Sequence, residues 1–366
     1  MNKVIKRLKA EALFLTATSF AIFTSFIVLP KFSYIDTHVL MVLFNLMVVV
    51  ELYKKERVLD YIAINFLKRY TNQRVISGAL ILLVFFFSMF LTNDVALITF
   101  IPLTIIIGKK SNFSVLKIVI LETVAANLGS ALTPMGSPHN IYIYSKYAPN
   151  PLTFLEITFG ISLVGLLILF IINIFTPKNE LLFELEPPTL NKNSNVFMAS
   201  LIFGLILLNI FLKFSIEYVT FLTLTYLIYK REDILAKLDW ILLATFVSFF
   251  IFVGNLSNMP PVRILMFSLL SQESSIYLMS IGLSQFISNV PAAILISEFT
   301  DKWKPLLLGV NIGGIGTLIA SLASLISYKL YTLEYPHEKK NFIKEFSIIN
   351  FSILILMGSL FYYFLK

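Results

Sequence analysis

The sequence has no cysteine among its 366 residues, and charged residues make up only 14% of it. The lack of cysteine excludes disulfides, thiolate nucleophiles and thiolate metal ligands. Hydrophobic residues account for 57% of the chain, and the mean hydropathy is +0.84. A water-soluble domain of this length could not bury so much apolar surface, so the composition predicts an integral membrane protein.

Enzyme motifs are missing as well. The sequence has no phosphate-binding Walker loop, no HExxH metal motif and no paired Asp-rich diphosphate motifs. The run Gly313-Gly314-Ile315-Gly316 superficially looks like a dinucleotide loop, but no strand precedes it and no suitably spaced acid follows. We therefore predict that the protein is not an enzyme and carries no cofactor.

Apolar runs long enough to cross a hydrocarbon core of roughly 30 Å lie at residues 12–29, 35–53, 154–175, 196–212, 215–229, 238–254 and 348–365. Basic residues precede the first run and no small-residue cleavage site follows it, which predicts a retained span rather than a signal peptide. Two longer runs, 113–147 and 305–331, carry Gly, Pro and Asn near their centres and predict broken helices.

Two further apolar segments, 75–108 and 274–300, are interrupted by the polar tips Thr92-Asn93-Asp94 and Ser288-Asn289-Val290-Pro291. The arm after the second tip has about eight residues, which rise only about 12 Å as a helix. We predict re-entrant hairpins, with a full span as the alternative for the first. The preceding segments, 57–70 and 257–272, predict helices lying on the membrane surface.

Lysine and arginine fall mainly in the loops on one side of this topology, which places the N-terminus in the cytoplasm of a multi-pass protein of the prokaryotic plasma membrane. This bias accounts for the net charge of +8 without a nucleic-acid partner. The predicted fold is all-α, with about nine to eleven crossings. It divides into a repeat at 1–176, a cytoplasmic linker at 177–195 and an inverted repeat at 196–366.

The two predicted broken helices share a pattern of polar residues. Asn127 and Asn311 are each followed by Gly two, Thr six and Ser ten positions later. Unwound backbone in a membrane is tolerated where it lines a polar site. Helix starts offer N–H groups to anions, and freed carbonyl oxygens suit cations such as Na⁺. The duplication therefore predicts a secondary transporter.

These motifs resemble those of the ion transporter superfamily, which includes divalent-anion:sodium symporters, citrate:metal symporters, arsenite permeases and some sodium:proton antiporters. The resemblance rests on the two tips, on the segment 127–140 and on the run from Gly313 to Thr317. It implies transport of a small, carboxylate-like anion or oxyanion, coupled to Na⁺ or H⁺. An elevator mechanism, a homodimer and contact with membrane lipid are also implied.

The resemblance also implies which residues form the site. Substrate contacts are expected from Thr92, Asn93, Ser137, Pro138, Asn140, Ser288, Asn289 and Thr317. Coupling-ion contacts, with possible Na⁺ at the junctions of hairpin and broken helix, are expected from Asn93, Asp94, Asn127, Gly129, Thr133, Gly136, Asn289, Asn311, Gly313, Gly316 and Glu122. The tips depart from the symporter pattern at Thr92, Asp94 and Val290, so two hydroxyls that would bind a carboxylate are missing.

Three titratable residues have alternative interpretations. Asp94, at the first tip, is either a coupling-ion ligand or an acid at a hydrated turn. Glu122 is either a coupling-ion ligand or a structural partner, and His139 is either a helix cap or a proton relay. The alternative functions are an arsenite or antimonite exporter, a Na⁺/H⁺ antiporter, and, outside transporters, a membrane enzyme or a non-transporting receptor.

Overall fold

A computed structural model describes residues 2–180, 186–189, 194–231 and 233–364. The predicted linker 177–195 lies partly outside these residues, at 181–185 and 190–193, as does residue 365 of the last predicted span. The described residues form seventeen α-helices, three short 3₁₀ helices and no β-strand. A single isolated bridge joins Asn72 to Glu180.

The α-helices are α1 (Asn2–Ser25), α2 (Thr37–Lys55), α3 (Val58–Leu67), α4 (Gln73–Leu91), α5 (Asn93–Lys110), α6 (Leu116–Leu132), α7 (Pro138–Tyr147), α8 (Pro151–Asn173), α9 (Ser194–Leu212), α10 (Ile216–Tyr229), α11 (Trp240–Ser257), α12 (Pro260–Leu269), α13 (Glu273–Ile287), α14 (Asn289–Ser297), α15 (Trp303–Gly313), α16 (Leu322–Glu334) and α17 (Lys339–Tyr363). The 3₁₀ helices are Phe32–Tyr34, Asp233–Ala236 and Pro336–Glu338.

Within the part of the chain that the structure describes, six helices are long and apolar enough to cross a membrane. They are Thr37–Lys55, Gln73–Leu91, Pro151–Asn173, Asn195–Leu212, Trp240–Ser257 and Pro336–Tyr363. A seventh span is possible if α12 and α13, which are bent by 114°, are counted together. The chain is therefore an all-α, multi-pass membrane protein, as predicted. The helix α1 ends at Ser25, ahead of the predicted position 29, because the residue before Pro30 is disfavoured in a helix.

Local sequence determines where several helices begin. Asp36 accepts a hydrogen bond from the backbone N–H of Val39 and caps α2. Asn72 caps α4 in the same way, as do Asn150 for α8 and Asp239 for α11. These side chains satisfy N–H groups that the first turn of a helix leaves without a partner.

The helices pack into two compact units. Unit 1 comprises Met1–Glu56, Lys192–Gln272 and Ile294–Asp301, and unit 2 comprises Arg57–Asn191, Glu273–Ala293 and Lys302–Lys366. Each unit therefore contains helices from both halves of the chain. The predicted repeats at 1–176 and 196–366 describe the sequence order, whereas the units describe the packing, so the two divisions differ.

In unit 1, α1 packs along α11, and α2 packs against α9 and α10. Buried polar side chains join these helices. The Asn45 side chain donates to the Thr220 hydroxyl at 2.7 Å and accepts from the Thr223 hydroxyl at 2.7 Å. Asn255 donates to the hydroxyls of Thr24 and Ser25. Such bonds lower the free-energy cost of placing amide groups in hydrocarbon.

In unit 2, α6 lies at the centre and packs against α4, α5, α8 and α16. Its side chains Val119, Leu121 and Val124 are fully buried in one apolar core that also includes Phe100 of α5 and Leu80 of α4. Nearly every residue of α6 is buried, and the polar residues Glu122, Thr123, Asn127 and Ser130 are among them. Unit 2 holds both predicted hairpin tips and both predicted broken helices.

Candidate functional site

Both predicted hairpin tips are sharp breaks between helices. Thr92 separates α4 from α5 with φ 71°, and Ser288 separates α13 from α14 with φ 75°. Positive φ is unfavourable for residues with a side chain, above all for a β-branched one. The surrounding contacts therefore hold both tips in place. The arm after the second tip, α14, has 9 residues, too few to cross a bilayer.

Both predicted broken helices are interrupted where the sequence indicated. The first is α6 and α7 with a break at 133–137, and the second is α15 and α16 with a break at 314–321. Ser137 precedes α7 with φ −149° and ψ 151°. Ser321 precedes α16 with φ −142° and ψ 140°. The two serines, at equal distances from Asn127 and Asn311, therefore have the same backbone role.

Each tip is bonded to one break through equivalent backbone atoms. The N–H of Asn93 donates to the carbonyl of Gly136 at 3.2 Å, and the N–H of Asn289 donates to the carbonyl of Ala320 at 3.0 Å. Each carbonyl belongs to the residue just before the capping serine. The same tip-to-break contact is thus built twice within unit 2.

Two further contacts repeat at the same offsets. The Thr133 hydroxyl donates to the carbonyl of Met89, and the Thr317 hydroxyl donates to the carbonyl of Gln285 at 2.9 Å. Each acceptor lies four residues before its tip asparagine. The repeated sequence pattern therefore corresponds to a repeated set of contacts.

The glycines that follow the two helix asparagines allow close helix packing. A Cβ on Gly129 would lie 2.1 Å from the carbonyl oxygen of Phe85 on α4. A Cβ on Gly313 would lie 2.8 Å from the Ser284 hydroxyl on α13. In both repeats the absent side chain lets a broken helix approach the first arm of a hairpin.

Two further glycines lie in the breaks and cannot be replaced by a larger residue for different reasons. A Cβ on Gly136 would lie 2.3 Å from the Ser130 carbonyl. Gly316 has φ +133°, a conformation that residues with a side chain rarely adopt.

Asn127 joins elements of both repeats. Its Oδ1 accepts from the Asn93 amide at 3.1 Å and from the Ser321 hydroxyl at 3.0 Å, and its Nδ2 donates to the carbonyl of Gly314 at 3.4 Å. Asn93 and Asn127 are both buried. The first tip, the first broken helix and the second break therefore meet at this side chain.

A second buried network centres on Asn311. The Nδ2 of Asn140 donates to the carbonyls of Ser130, Ala131 and Thr133, which leaves its Oδ1 to accept from the Asn311 amide at 2.9 Å. The Oδ1 of Asn311 lies 3.1 Å from Nε2 of His139. Because this oxygen can only accept, Nε2 carries the hydrogen. Within the described residues, Nδ1 of His139 has no hydrogen-bond partner.

Sequence reasoning missed Gln285, four residues before the second tip. Its Oε1 accepts from the N–H of Thr317 at 2.9 Å, and its Nε2 donates to the carbonyls of Gly313 at 2.7 Å and Ile315 at 3.3 Å. Gln285 thus occupies several backbone groups that the second break leaves without helical partners. A polar amide in an apolar hairpin arm was the available signal.

Of the other residues predicted for the site, some lie at the tips and breaks and Glu122 lies apart from them. Ser288 donates weakly to the carbonyl of Ala320 at 3.4 Å, and Pro138 is the first residue of α7, a position that suits proline. Asp94 is half-buried in the first turn of α5, where its N–H donates to the Asn93 side chain. Glu122 is buried next to Thr104 of α5 and has no contact with the asparagine networks.

The arrangement offers oxygen ligands rather than a cluster of acids. No group of three or more His, Asp or Glu side chains that could hold a metal occurs in the part of the chain that the structure describes. A cation held at the breaks would therefore be bound by carbonyl and amide oxygens, the ligands that hard cations prefer. The starts of α5 and α14 carry the partial positive charge of a helix N-terminus, which favours a nearby anion.

Comparison with known proteins identifies the family. A family described as citrate transporter matches residues 4–301 of the chain. The chain belongs to the citrate transporter family. An uncharacterized transporter of Methanocaldococcus jannaschii is 36% identical over 291 residues, covering 79% of each chain. An inner membrane protein of Escherichia coli is 29% identical over 303 residues, covering 81% of this chain and 80% of its own.

Membership of the citrate transporter family confirms the resemblance seen in the motifs. The protein is a multi-pass membrane transporter and not an enzyme. The family match ends at residue 301, before α15 and α16. The likeness between the second broken helix and the first therefore does not depend on the family match. It rests on the contact between the second break and the tip at Asn289.

Proposed function

We propose that the protein is a secondary active transporter that moves a small, carboxylate-like anion or oxyanion across the plasma membrane, coupled to Na⁺ or H⁺. The observation that carries this proposal is the duplicated contact between hairpin tip and helix break. Asn93 and Asn289 each start a helix beside unwound backbone. Such a junction places the partial positive charge of a helix start, which favours an anion, beside backbone oxygens that can bind a cation.

The grouping of these elements supports an elevator mechanism. Both tips and both breaks belong to unit 2, whereas α1, α2 and α9–α12 belong to unit 1. A site formed within one packed unit can move with that unit as a body. In this proposal unit 2 carries the solute and the coupling ion, and unit 1 is the scaffold. The protein works as a homodimer embedded in lipid, with its N-terminus in the cytoplasm.

Arsenite or antimonite export is the alternative substrate assignment, because the tip Thr92-Asn93-Asp94 resembles that branch of the superfamily. The unfolding temperature of the purified protein should be measured with citrate, sulfate, arsenite or Na⁺ added, and over a range of pH. A solute that raises the unfolding temperature is then followed as flux into proteoliposomes. Failure of all these solutes to bind or cross would contradict the proposed substrate class.

Asn93→Ala and Asn289→Ala should each abolish the flux of the solute that binds, because each removes the side chain that begins a half-helix at the site. Asn341→Ala is the matched control, since Asn341 is exposed on α17, away from the tips and breaks. Flux close to that of the control in both tip variants would show that the tips serve only as structural bends.

A further inference from the structure

A buried acid without a cationic partner lies on α6. Glu122 is 0% exposed. The Thr104 hydroxyl donates to its Oε1 at 2.6 Å, and its Oε2 has no hydrogen-bond partner within the described chain. None of the ion pairs between described residues includes Glu122. A carboxyl group buried in this way is tolerated in a membrane only if it is protonated, paired or bound to a cation.

The charged side chains on α6 and the helices packed against it do not pair with this acid. They are Arg74 on α4, Asp94, Lys109 and Lys110 on α5, Lys117 on α6, Glu156 on α8, Lys304 on α15, Lys329 and Glu334 on α16, and Lys339, Lys340, Lys344 and Glu345 on α17. Lys109 pairs with Glu334. Arg74 donates to the carbonyl of Thr176. The tyrosines Tyr328 and Tyr331 of α16 also make no bond to Glu122.

The surroundings favour a proton over a metal cation. The nearby positions on α5 and α6 are apolar core residues, including Ile101, Ile105, Ile118 and Leu121. A hard cation requires several oxygen ligands, and among the described residues Thr104 supplies the one oxygen that bonds to Glu122. A proton needs the carboxylate alone, and Oε2 is available to take it.

Packing does not explain the acid. The corresponding position of the second repeat, five residues before Asn311, is Leu306, which is also 0% exposed. The same position on a broken helix is thus filled by an apolar side chain in one repeat and by an acid in the other. A buried acid at a position that leucine fills in the other repeat indicates a function beyond filling space.

A line of buried hydroxyls leads from the asparagine networks towards Glu122. Ser321 bonds to Asn127, and six residues further along the chain Ser327 of α16 bonds to Thr123, the residue next to Glu122. Ser324 lies between them on α16 and is fully buried. Two polar bonds, with Ser324 between them, therefore join α6 to α16 and offer a path for a proton between the tip junction and the acid.

We propose that Glu122 is a proton-binding site of unit 2, with Thr104 holding Oε1 while Oε2 takes up and releases the proton during transport. This inference rests on the proposed function, because it makes H⁺ a coupling ion of the same cycle. Uptake converts the carboxylate to the neutral acid, and release returns the proton to water on the side to which the junction opens.

Proton binding is tested first by infrared difference spectra of the purified protein after a pH step. A carbonyl stretching band of a buried carboxylic acid should appear in the wild type, shift in Thr104→Val and disappear in Glu122→Gln. Glu156→Gln, at an exposed acid of α8, should keep the band. A spectrum of Glu122→Gln identical to that of the wild type would overturn the proposal.

Coupling is tested in proteoliposomes with whichever of citrate, sulfate and arsenite binds. Glu122→Gln should lose the acceleration of uptake by a pH gradient but keep exchange of the same solute at equal pH. An unchanged response to the gradient would overturn the proposal. If the wild type moves none of the three solutes, the transport assignment fails, while the infrared band still decides whether Glu122 binds a proton.

Folding is controlled with Glu122→Leu, which copies the residue of the second repeat. Replacing an unpaired buried acid with a hydrophobic side chain is commonly neutral or stabilising. The variant should therefore unfold at the wild-type temperature or above it. A clearly lower unfolding temperature would show that the fold requires the acid, which argues against the proposal.

Discussion

Gly129→Ala should destabilise the protein by forcing α6 away from α4. The added Cβ would lie 2.1 Å from the carbonyl oxygen of Phe85 and 2.4 Å from the Ser88 hydroxyl. The hydroxyl can rotate away, but the backbone carbonyl cannot, so the helices must separate. Inserting a methyl group into a filled core typically costs about 1–3 kcal/mol.

The matched control is Gly282→Ala on α13, where the new Cβ has no heavy atom within 4 Å. Alanine in an open helical position should be more stable than glycine by roughly 0.5–1 kcal/mol. Gly313→Ala should be intermediate, because its nearest contacts are 2.8 Å and 2.9 Å, both to atoms of the Ser284 side chain. The expected order of stability is therefore Gly282→Ala, wild type, Gly313→Ala and Gly129→Ala.

The assay is unfolding of the purified protein in detergent, followed by the fluorescence of Trp240 and Trp303. Uptake measured in parallel should fall in Gly129→Ala, because a shift of α6 also displaces Asn127, which contacts Asn93 and Ser321. Equal stability of Gly129→Ala and Gly282→Ala would refute the close contact between α6 and α4 on which this reasoning depends.

Two further predictions concern topology and ion coupling. Cysteine placed at Ser114 or Lys302, which are both exposed, should react with impermeant reagents from the cytoplasmic and external sides respectively, because the two hairpins are expected to enter from opposite sides. Labelling of both positions from one side would contradict the inverted repeat. Asp94→Asn should weaken stabilisation by Na⁺ in thermal unfolding, because it removes the charge beside the first tip. If Na⁺ stabilises the variant as much as the wild type, Asp94 does not bind the ion, and its charge only stabilises the start of α5.

Much of the fold could be predicted from sequence because its causes are local. The composition requires lipid as solvent, and short polar tips at Thr92 and Ser288 between apolar arms indicate helix breaks. The equal spacing from Asn127 to Ser137 and from Asn311 to Ser321 predicted two similar breaks, and both serines precede a new half-helix. Helix breakers act on their own backbone, so their positions were readable without tertiary contacts.

The partners of these residues could not be predicted, because they lie far apart in sequence and depend on helix packing. Only the tertiary structure shows that Gln285 bonds to the break at Gly313 and Thr317, and that Gly129 lies against the backbone of α4. It also separates Glu122, bonded to Thr104, from the asparagine networks. The sequence by itself determined the membrane class and where the helices break, since both follow from local chemistry. The tertiary structure alone decided which broken ends meet and which polar groups are bonded to each other, because those contacts join helices that are far apart in the sequence.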